Sequence, residues 1–393
     1  MKANSLYDAL KIDYSPVEEA GFNPYYPKLQ SGLDDPIYLE GRPFINLASN
    51  NYLGFANDPS VKEACIQGIK DYGVSLCATP IASGYPELYY QVQEKLARFL
   101  NLEQLLLYPS CYQANNGLFS AIASKDDLVI IDRCVHSSMI EGIRPVQCKI
   151  RPFMHNDPAH LESVLLKSQN YPRVFVVTES VFSTEGEIAP LGEIYKLCQK
   201  HGATCIVDDS HGIGVLGNRG AGILDHEQIT DFKGIYTASL GKALAVNGGI
   251  VGGDSRLIEY LSYFSSHLVY STAVSPGLIA ALGRVIDLMR DEFHLRGKKM
   301  WEYKRRLAHQ LQLEGFDMVV GKAPINSIKG GNPVNTLKIA NLLYKEGILS
   351  TPFIHPSVSY EGGRIRLIAG ANLKEESIDK ACRIFAKIKA SMA

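Results

Sequence analysis

The segment ATCIVDDSH at residues 203–211 decides the fold of this chain. Its first five residues form a short apolar run without polar alternation, which is typical of a strand buried on both faces. The run GIYTA at residues 234–238 has the same character, and SLGK follows it at residues 239–242. These runs predict two strands with polar side chains just past their carboxyl ends. That edge of an open α/β sheet is where ligands bind.

Other short apolar runs predict further strands of the same sheet, and helical patterns separate them. The predicted strands lie at residues 105–108, 128–131, 173–177 and 248–253, and the predicted helices at 91–100, 114–123, 160–167 and 191–200. Repeated strand–helix units predict a mostly parallel central sheet with right-handed crossovers.

The pattern changes after Pro276, and this change predicts a second, smaller domain. Long amphipathic helices are expected over residues 279–313, followed by an α+β segment that closes with a helix near 375–392. The predicted fold class is therefore α/β with a smaller C-terminal α+β domain. The predicted parts are an N-terminal arm (1–45), a large domain (46–275) and a small domain (276–393).

Composition excludes several classes of protein. Hydrophobic residues make up 46% of the 393 residues, charged residues 21%, and the net charge is −1, which argues against nucleic acid or an anionic membrane as the main partner. The eight cysteines show no CxxC and no metal-like spacing, so we expect reduced thiols in a cytoplasmic protein without a metal site. We predict neither a signal peptide at residues 1–16 nor a membrane span.

Two charged residues at the predicted sheet edge point to chemistry. No other charged residue occurs between Lys233 and Asp254, so Lys242 is expected to be desolvated, which favours a nucleophilic amine over an ordinary surface lysine. Asp208 ends an apolar strand, where the alternative is a helix cap or a solvated loop acid, which is the expectation for the adjacent Asp209. Asp-x-x-His at 208–211 followed by Ser-x-x-Lys at 239–242 predicts pyridoxal 5'-phosphate (PLP), which needs a lysine and an acid against its pyridine nitrogen.

Several other polar residues are ambiguous by themselves. The turn at Ser110-Cys111-Tyr112 opens a helix, so it is either an ordinary cap or an anion site for a phosphate. Arg364 and Arg366 alternate along a predicted strand, and one of them could clamp a substrate carboxylate. His136, Ser183 and Asn50 are read locally as a core or capping histidine, a strand-end serine and a turn residue.

Three motif matches are rejected. The sequence GIGVLG at 212–217 matches GxGxxG, but the following NRGAG is a poor helix and the acidic residue about 20 positions later is missing. The Ser-x-x-Lys match lacks the Lys-Thr-Gly of the penicillin-binding enzymes. Gly241-Lys242 is not a P-loop because Ala243 replaces the required Ser or Thr.

With these motifs assembled, the chain resembles the α-oxoamine synthases from about residue 46 to its end. These PLP-dependent acyltransferases have the aspartate-aminotransferase-like fold (fold type I) and include glycine C-acetyltransferase, 8-amino-7-oxononanoate synthase, serine palmitoyltransferase and autoinducer synthases. The matching segments are SNNYLG (49–54), SCYQAN (110–115), ESVFS (179–183), VDDSH (207–211) and SLGK (239–242).

The resemblance implies a role for each matching residue. Lys242 would hold the cofactor covalently and then remove the substrate Cα proton. Asp208 would pair with the pyridine nitrogen, His211 with the ring oxygen, and His136 would stack on the ring and hydrogen-bond the substrate. The other implied contacts are with the ring (Ser183), with the phosphate (Cys111, Tyr112 and Ser239, plus Ser271 and Thr272 from the other subunit of a homodimer), and with the amino-acid carboxylate (Asn50 and Arg366).

The implied reaction is decarboxylative condensation of an α-amino acid with an acyl-CoA. The alternatives are another fold-type-I reaction (aminotransferase or aldolase type), a non-catalytic subunit, and a nicotinamide dehydrogenase built on residues 212–217. The chain departs from its relatives at Pro80 and Tyr89, where Arg and His are frequent, and at Leu373, where a His is frequent. Because residues 75–90 would border the acyl-donor entrance, these departures favour an acyl chain other than acetyl.

Overall fold

The computed structural model describes residues 6–10 and 12–392, so residues 1–5 and 11 of the predicted arm and residue 393 lie outside the described residues. The helices are α1 (Leu6–Ala9), α2 (Ser15–Ala20), α3 (Pro59–Tyr72), α4 (Glu87–Leu100), α5 (Cys111–Ile122), α6 (Ser137–Ile143), α7 (Pro158–Leu166), α8 (Leu191–His201), α9 (Ile223–His226), α10 (Ser255–Phe264), α11 (Ser266–Val269), α12 (Pro276–Leu313), α13 (Pro333–Lys345) and α14 (Glu375–Met392). The strands are β1 (Ile37–Leu39), β2 (Arg42–Asn46), β3 (Gln104–Tyr108), β4 (Leu128–Asp132), β5 (Lys149–Phe153), β6 (Val174–Glu179), β7 (Thr204–Asp208), β8 (Ile235–Ser239), β9 (Gly249–Gly253), β10 (Met318–Val320), β11 (Asn326–Gly331), β12 (Ile348–Leu349), β13 (Thr351–Phe353) and β14 (Gly363–Leu367).

The central sheet has the order β3-β9-β8-β7-β6-β4-β5 and is parallel except at β9. The predicted fold class is therefore confirmed, and each of the six apolar runs forms a strand of this sheet. The antiparallel direction of β9 was not predicted. It follows from the short link between β8 and β9, since a parallel connection needs a crossover of a dozen or more residues.

The helix after Pro276 is one continuous element of 38 residues rather than several helices. It lies against α3, and small residues permit a close approach there. A Cβ added to Gly68 would lie 2.7 Å from the Cβ of Ala280, so the two helix backbones could not stay this close with larger side chains. No helix among the described residues combines the length and apolarity needed to cross a membrane.

The C-terminal segment forms its own antiparallel sheet, with the order β10-β11-β14-β13. The end of the predicted arm joins this part of the molecule, because β2 pairs with β12 in parallel as well as with β1. A buried apolar cluster of Ile45, Leu307, Leu343, Ile365 and Phe385 holds these elements together.

The carboxyl ends of neighbouring strands bring the polar residues to one edge. β6, β7 and β8 are adjacent, and they end at Glu179, Asp208 and Ser239. These strands are buried along their lengths, and the polar groups lie where the strands end.

Candidate active site

Asp208 is a buried carboxylate at the centre of this edge. It is 5% exposed, and its two oxygens accept hydrogen bonds from Ser210 N at 2.9 Å and Asn115 Nδ2 at 3.0 Å. Asp208 makes no ion pair with any residue that the structure describes. A buried carboxylate with neutral donors only is expected to face a cationic partner, which a protonated pyridine nitrogen would supply.

Lys242 lies in the tight connection between β8 and β9. Its side chain is partly buried, and burial lowers the pKa of the Lys242 amine, while the Asp208 charge opposes that shift. A depressed pKa makes the neutral, nucleophilic amine more available than in a surface lysine. The structure thus brings together the two residues that the sequence pattern singled out.

His211 follows β7 and is bonded to a tyrosine. Its Nδ1 lies 2.8 Å from the Tyr52 hydroxyl, and both side chains are buried. Burial, reinforced by the positive charges of Lys242 and Arg366, holds the pKa of His211 well below its usual range, so this imidazole is neutral.

His136 combines a capping role with a place in the site. Its Nδ1 caps α6 by accepting from Ser138 N at 3.2 Å, as the local alternative predicted. Its backbone N–H also donates to Glu179 Oε1 at 2.6 Å. The Ser138 hydroxyl lies 2.8 Å from His136 Nδ1 and accepts from Asn115, which also donates to Asp208. A hydrogen-bond chain therefore connects His136 to Asp208.

The start of α5 combines a helix cap with outward-facing N–H groups of the kind that suit an anion, and we call it the cradle. Ser110 caps this 12-residue helix by accepting from Gln113 N at 3.2 Å, and the first N–H groups face outward from the helix end. Ser210 connects the cradle to β8, because its hydroxyl lies 3.4 Å from Cys111 Sγ and accepts from Ser239 N at 2.8 Å. Burial raises the pKa of the Cys111 thiol, so it stays uncharged beside an anion.

The remaining predicted phosphate contacts lie near this cradle. Ser271 Oγ accepts from Gln113 Nε2 of the same chain at 3.3 Å, whereas Thr272 is exposed. Tyr112, at the second position of α5, is also 51% exposed.

Arg366 is the inward-facing arginine of β14. It is 7% exposed, its guanidinium lies 5.0 Å from the Phe353 ring centroid, and it donates to Ser183 O at 3.2 Å. Its Nε and the Oδ1 of Asn50 are buried without a hydrogen-bond partner among the described residues. Arg364, in contrast, pairs with Glu185 at 2.7 Å. Of the two arginines, Arg364 is thus engaged in an ion pair, whereas Arg366 keeps an unpartnered buried Nε–H among the described residues, so Arg366 remains our prediction for the ligand contact.

Comparisons with known proteins agree with this geometry. The model of the family described as aminotransferase class I and II matches residues 42–385. The chain is also 34% identical over 385 residues to an 8-amino-7-oxononanoate synthase of Symbiobacterium thermophilum, covering 98% of each chain. This chain belongs to the α-oxoamine synthase family.

Solved structures show that the fold is shared as well. A serine palmitoyltransferase of Sphingomonas wittichii superposes with a TM-score of 0.93 at 23% identity, covering 100% of this chain and 99% of that one. A serine palmitoyltransferase of S. paucimobilis with a bound PLP–myriocin adduct gives 0.91 at 21% identity, covering 96% of each chain. The predicted family and fold type I are confirmed.

The residues of this α-oxoamine synthase fit PLP. The site offers an amine with a lowered pKa (Lys242), a buried carboxylate without a cation (Asp208) and an anion cradle at a helix N-terminus (Cys111). The cradle also needs close backbone approach, since a Cβ on Gly249 would lie 2.4 Å from Cys111 N. These are the groups that a phosphorylated pyridine aldehyde requires.

Sequence reasoning missed four polar residues of this site. Glu179, Asn115, Ser210 and Tyr52 connect the predicted residues to one another, yet none was assigned a role. All four lie inside the segments that carry the family resemblance. Glu179 comes two residues after the predicted strand at 173–177, and it ends β6 at the same edge as Asp208. That shared edge was the signal that could have identified Glu179.

Two expectations change on inspection of the structure. Asp209 is fully buried rather than a solvated loop acid, because Tyr236 OH and Ile223 N donate to its Oδ2 at 2.7 and 2.9 Å. Tyr89 and Leu373, at which the chain departs from its relatives, lie in the core and are 2% and 1% exposed.

The rejected GxGxxG match is a loop of turns. The next helix after it is α9, which begins only at Ile223, so no helix N-terminus follows these glycines directly.

Proposed function

We propose that this α-oxoamine synthase condenses an α-amino acid with an acyl-CoA and releases an α-aminoketone, CO2 and CoA. The chain is a PLP-dependent enzyme, and decarboxylative condensation of an amino acid with an acyl thioester is its class of reaction. The observation that carries the proposal is the amine of Lys242 beside the buried Asp208, in a chain 34% identical to a named synthase of this class.

Each polar group has a task in the proposed reaction. Bound PLP would withdraw electrons from the bonds at the amino-acid Cα. Lys242 would hold the cofactor and, once the amino acid is bound, take the Cα proton. Asp208 would keep a proton on the pyridine nitrogen, and His211 would hydrogen-bond the ring oxygen. His136 donates to the oxygen of the thioester carbonyl as negative charge develops there.

The bonds made and broken define the products. A C–C bond forms between the amino-acid Cα and the thioester carbonyl carbon, and the C–S bond breaks to release the thiol. The amino-acid carboxylate then leaves as CO2, and Cα takes up a proton in its place. Arg366 and Asn50 would hold that carboxylate at the start: the buried Nε–H of Arg366 has no acceptor among the described residues, and Asn50 would donate through its side-chain Nδ2.

We also propose a homodimer whose subunits share the active site, with Ser271 and Thr272 reaching the phosphate of the partner subunit. Exposed aromatic side chains at the end of α10 and just after α11 support this arrangement: Tyr263, Phe264 and Tyr270 are 61%, 62% and 85% exposed. We further propose the division into an arm (1–45), a large domain (46–275) and a small domain (276–393). The cysteines are free, in keeping with a cytoplasmic enzyme.

A matrix of amino acids against acyl-CoAs of graded length tests the function. We expect release of thiol and CO2 in equal amounts, only when both substrates are present. Lys242→Ala should abolish turnover and the visible absorption of the bound cofactor, whereas Lys62→Ala, on the exposed face of α3, should change neither. Thiol release without CO2, or full turnover by Lys242→Ala, would contradict the proposal.

A further inference from the structure

Tyr52 and His211 form an isolated buried pair next to the proposed cofactor site. Tyr52 is 1% and His211 5% exposed, and the hydroxyl lies 2.8 Å from Nδ1. The two rings are nearly perpendicular, with an interplanar angle of 87° and centroids 6.1 Å apart. The hydroxyl therefore meets the edge of the imidazole, where the nitrogen lone pair or its proton lies.

The number of protons on this pair is fixed by burial. Burial raises the pKa of the Tyr52 phenol beyond its usual range, so the hydroxyl keeps its proton. The imidazole of His211 is neutral, because burial and the neighbouring Lys242 and Arg366 lower its pKa. The pair thus holds one hydroxyl proton and one ring proton.

Only one arrangement of these two protons satisfies both groups. Tyr52 OH has no hydrogen-bond partner other than His211 among the described residues. If Nδ1 carried the ring proton and donated to the tyrosine oxygen, the hydroxyl proton would be buried without an acceptor, which is costly. The hydroxyl therefore donates to Nδ1, and the ring proton is on Nε2.

We propose that Tyr52 is a positioning residue that fixes His211 as the Nε2–H tautomer, so that His211 presents a hydrogen-bond donor to the ring oxygen of the cofactor. The inference rests on the proposed function, because the proposed function assigns to His211 the hydrogen bond with the ring oxygen of the cofactor. The tautomer of a histidine is set by the bond that its other nitrogen makes. The opposite tautomer would present the lone pair of Nε2 to the ring oxygen of the cofactor, which is itself a hydrogen-bond acceptor.

Tyr52 is held firmly enough for this role. Its backbone N–H donates to Asn50 O at 2.8 Å, and its carbonyl accepts from Ala371 N at 2.9 Å. The first bond closes the turn after β2, and the second attaches this turn to the segment that follows β14, the strand of Arg366. The hydroxyl is therefore positioned by the backbone of two separate parts of the chain.

Nitrogen-15 NMR of selectively labelled histidine tests the proposal without relying on activity. The signal of His211 is assigned by its loss in His211→Gln, and spectra are recorded with PLP bound and after its removal. We expect the wild-type protein to show Nε2 protonated and Nδ1 unprotonated in both states. Tyr52→Phe should shift the tautomer ratio toward Nδ1–H by roughly fivefold to tenfold. The control is Tyr195→Phe, which removes a buried hydroxyl that contacts Asp231 O and Lys233 N instead.

Cofactor affinity and turnover give a second readout. We expect Tyr52→Phe to weaken PLP binding and to lower kcat by about tenfold each, as for groups that orient a ligand-binding histidine, and Tyr195→Phe to leave both unchanged. The wild-type spectrum is decisive even if Tyr52→Phe fails to fold, since an Nδ1–H tautomer would overturn the inference. So would an unchanged tautomer in Tyr52→Phe. Absence of condensation together with the expected tautomer shift would refute the proposed function and leave the Tyr52–His211 assignment intact.

Discussion

Glu179 and Asp208 are register partners at the last position of two adjacent parallel strands. Both carboxyl groups are buried, 5% exposed each, and they end at the same edge of the sheet. Burial, together with the neighbouring Asp208 charge, holds the pKa of Glu179 well above its usual range. The site therefore contains one acid that keeps its proton beside another that lies among hydrogen-bond donors.

This pair makes the stability of the cofactor-free protein depend on pH. The folded state keeps the Glu179 proton after the unfolded chain has lost it near pH ~4.3, so stability falls as pH rises from there to the raised pKa. Glu179→Gln should remove that decline, because the amide can still accept from His136 N. Urea denaturation measures the free energy of unfolding at pH 5 and at pH 8. We expect this free energy to fall between the two pH values by at least about 1 kcal/mol more in wild type than in Glu179→Gln. Equal losses in the two proteins would contradict the assignment of the raised pKa.

Asn115 connects Asp208 to Ser138, and its removal should weaken cofactor binding. Asn115 is fully buried, and Asn115→Leu leaves one Asp208 oxygen without that donor. We expect a loss of about 1–3 kcal/mol in unfolding free energy and a rise of about tenfold in the PLP dissociation constant. Asn326→Leu is the matched control, because it removes an equally buried amide that donates to Lys304 O. The Asn326→Leu variant should lose a similar free energy of unfolding and keep its PLP affinity. If both variants lost PLP affinity equally, the effect of Asn115→Leu would be due to general destabilisation.

The lowered pKa of Lys242 predicts how fast PLP is captured at different pH values. Only the neutral amine attacks the aldehyde, so the capture rate should rise with pH and reach a plateau below the pH at which an ordinary lysine (pKa ~10.4) does so. Stopped-flow absorbance on cofactor-free protein measures the rate, and a short lysine peptide under the same conditions is the reference. A profile that coincides with that of the peptide would exclude a desolvated amine.

His155 lies between two carboxylates outside the cofactor site. Its Nδ1 is 2.9 Å from Asp132 Oδ1 and its Nε2 is 2.7 Å from Glu187 Oε2, so both ring nitrogens are bonded to carboxylates. Burial alone lowers the pKa of His155, but hydrogen bonds with Asp132 and Cys134 raise it to about 11. This stabilisation is fully present below the ordinary histidine value near ~6.5 and is lost as pH rises through about 11.

Removing His155 should therefore lower the free energy of unfolding most at low pH. His155→Leu leaves the fully buried Asp132 carboxylate without its cation, and we expect a loss of about 3 kcal/mol at pH 6 that becomes smaller at pH 10. Urea denaturation at both pH values measures the difference. His309→Leu, at an exposed position of α12, is the control and should change stability by less than about 0.5 kcal/mol. A loss for His155→Leu that did not vary with pH would contradict the ion pair.

Patterns within the chain predicted the architecture well, because buried strands and amphipathic helices are recorded in local apolar periodicity. The runs ending at Asp208 and Ser239 gave strands that are neighbours in the sheet, which placed Asp208 and Lys242 at one edge. The pairing of β2 with β12 depends on contacts between distant segments, so no local pattern indicated it.

The amino-acid sequence by itself determined the fold class, the family and the residue types that hold the cofactor, because these follow from short segments with fixed spacing. Only the tertiary structure shows that Arg364 is paired with Glu185 while Arg366 keeps an unpartnered Nε–H among the described residues, and which partners tune the site. Tyr52 and His211 are 159 positions apart in the chain, and Asn115 and Asp208 are 93 apart. Burial and proton location depend on such distant neighbours, so they emerge only when the chain is folded.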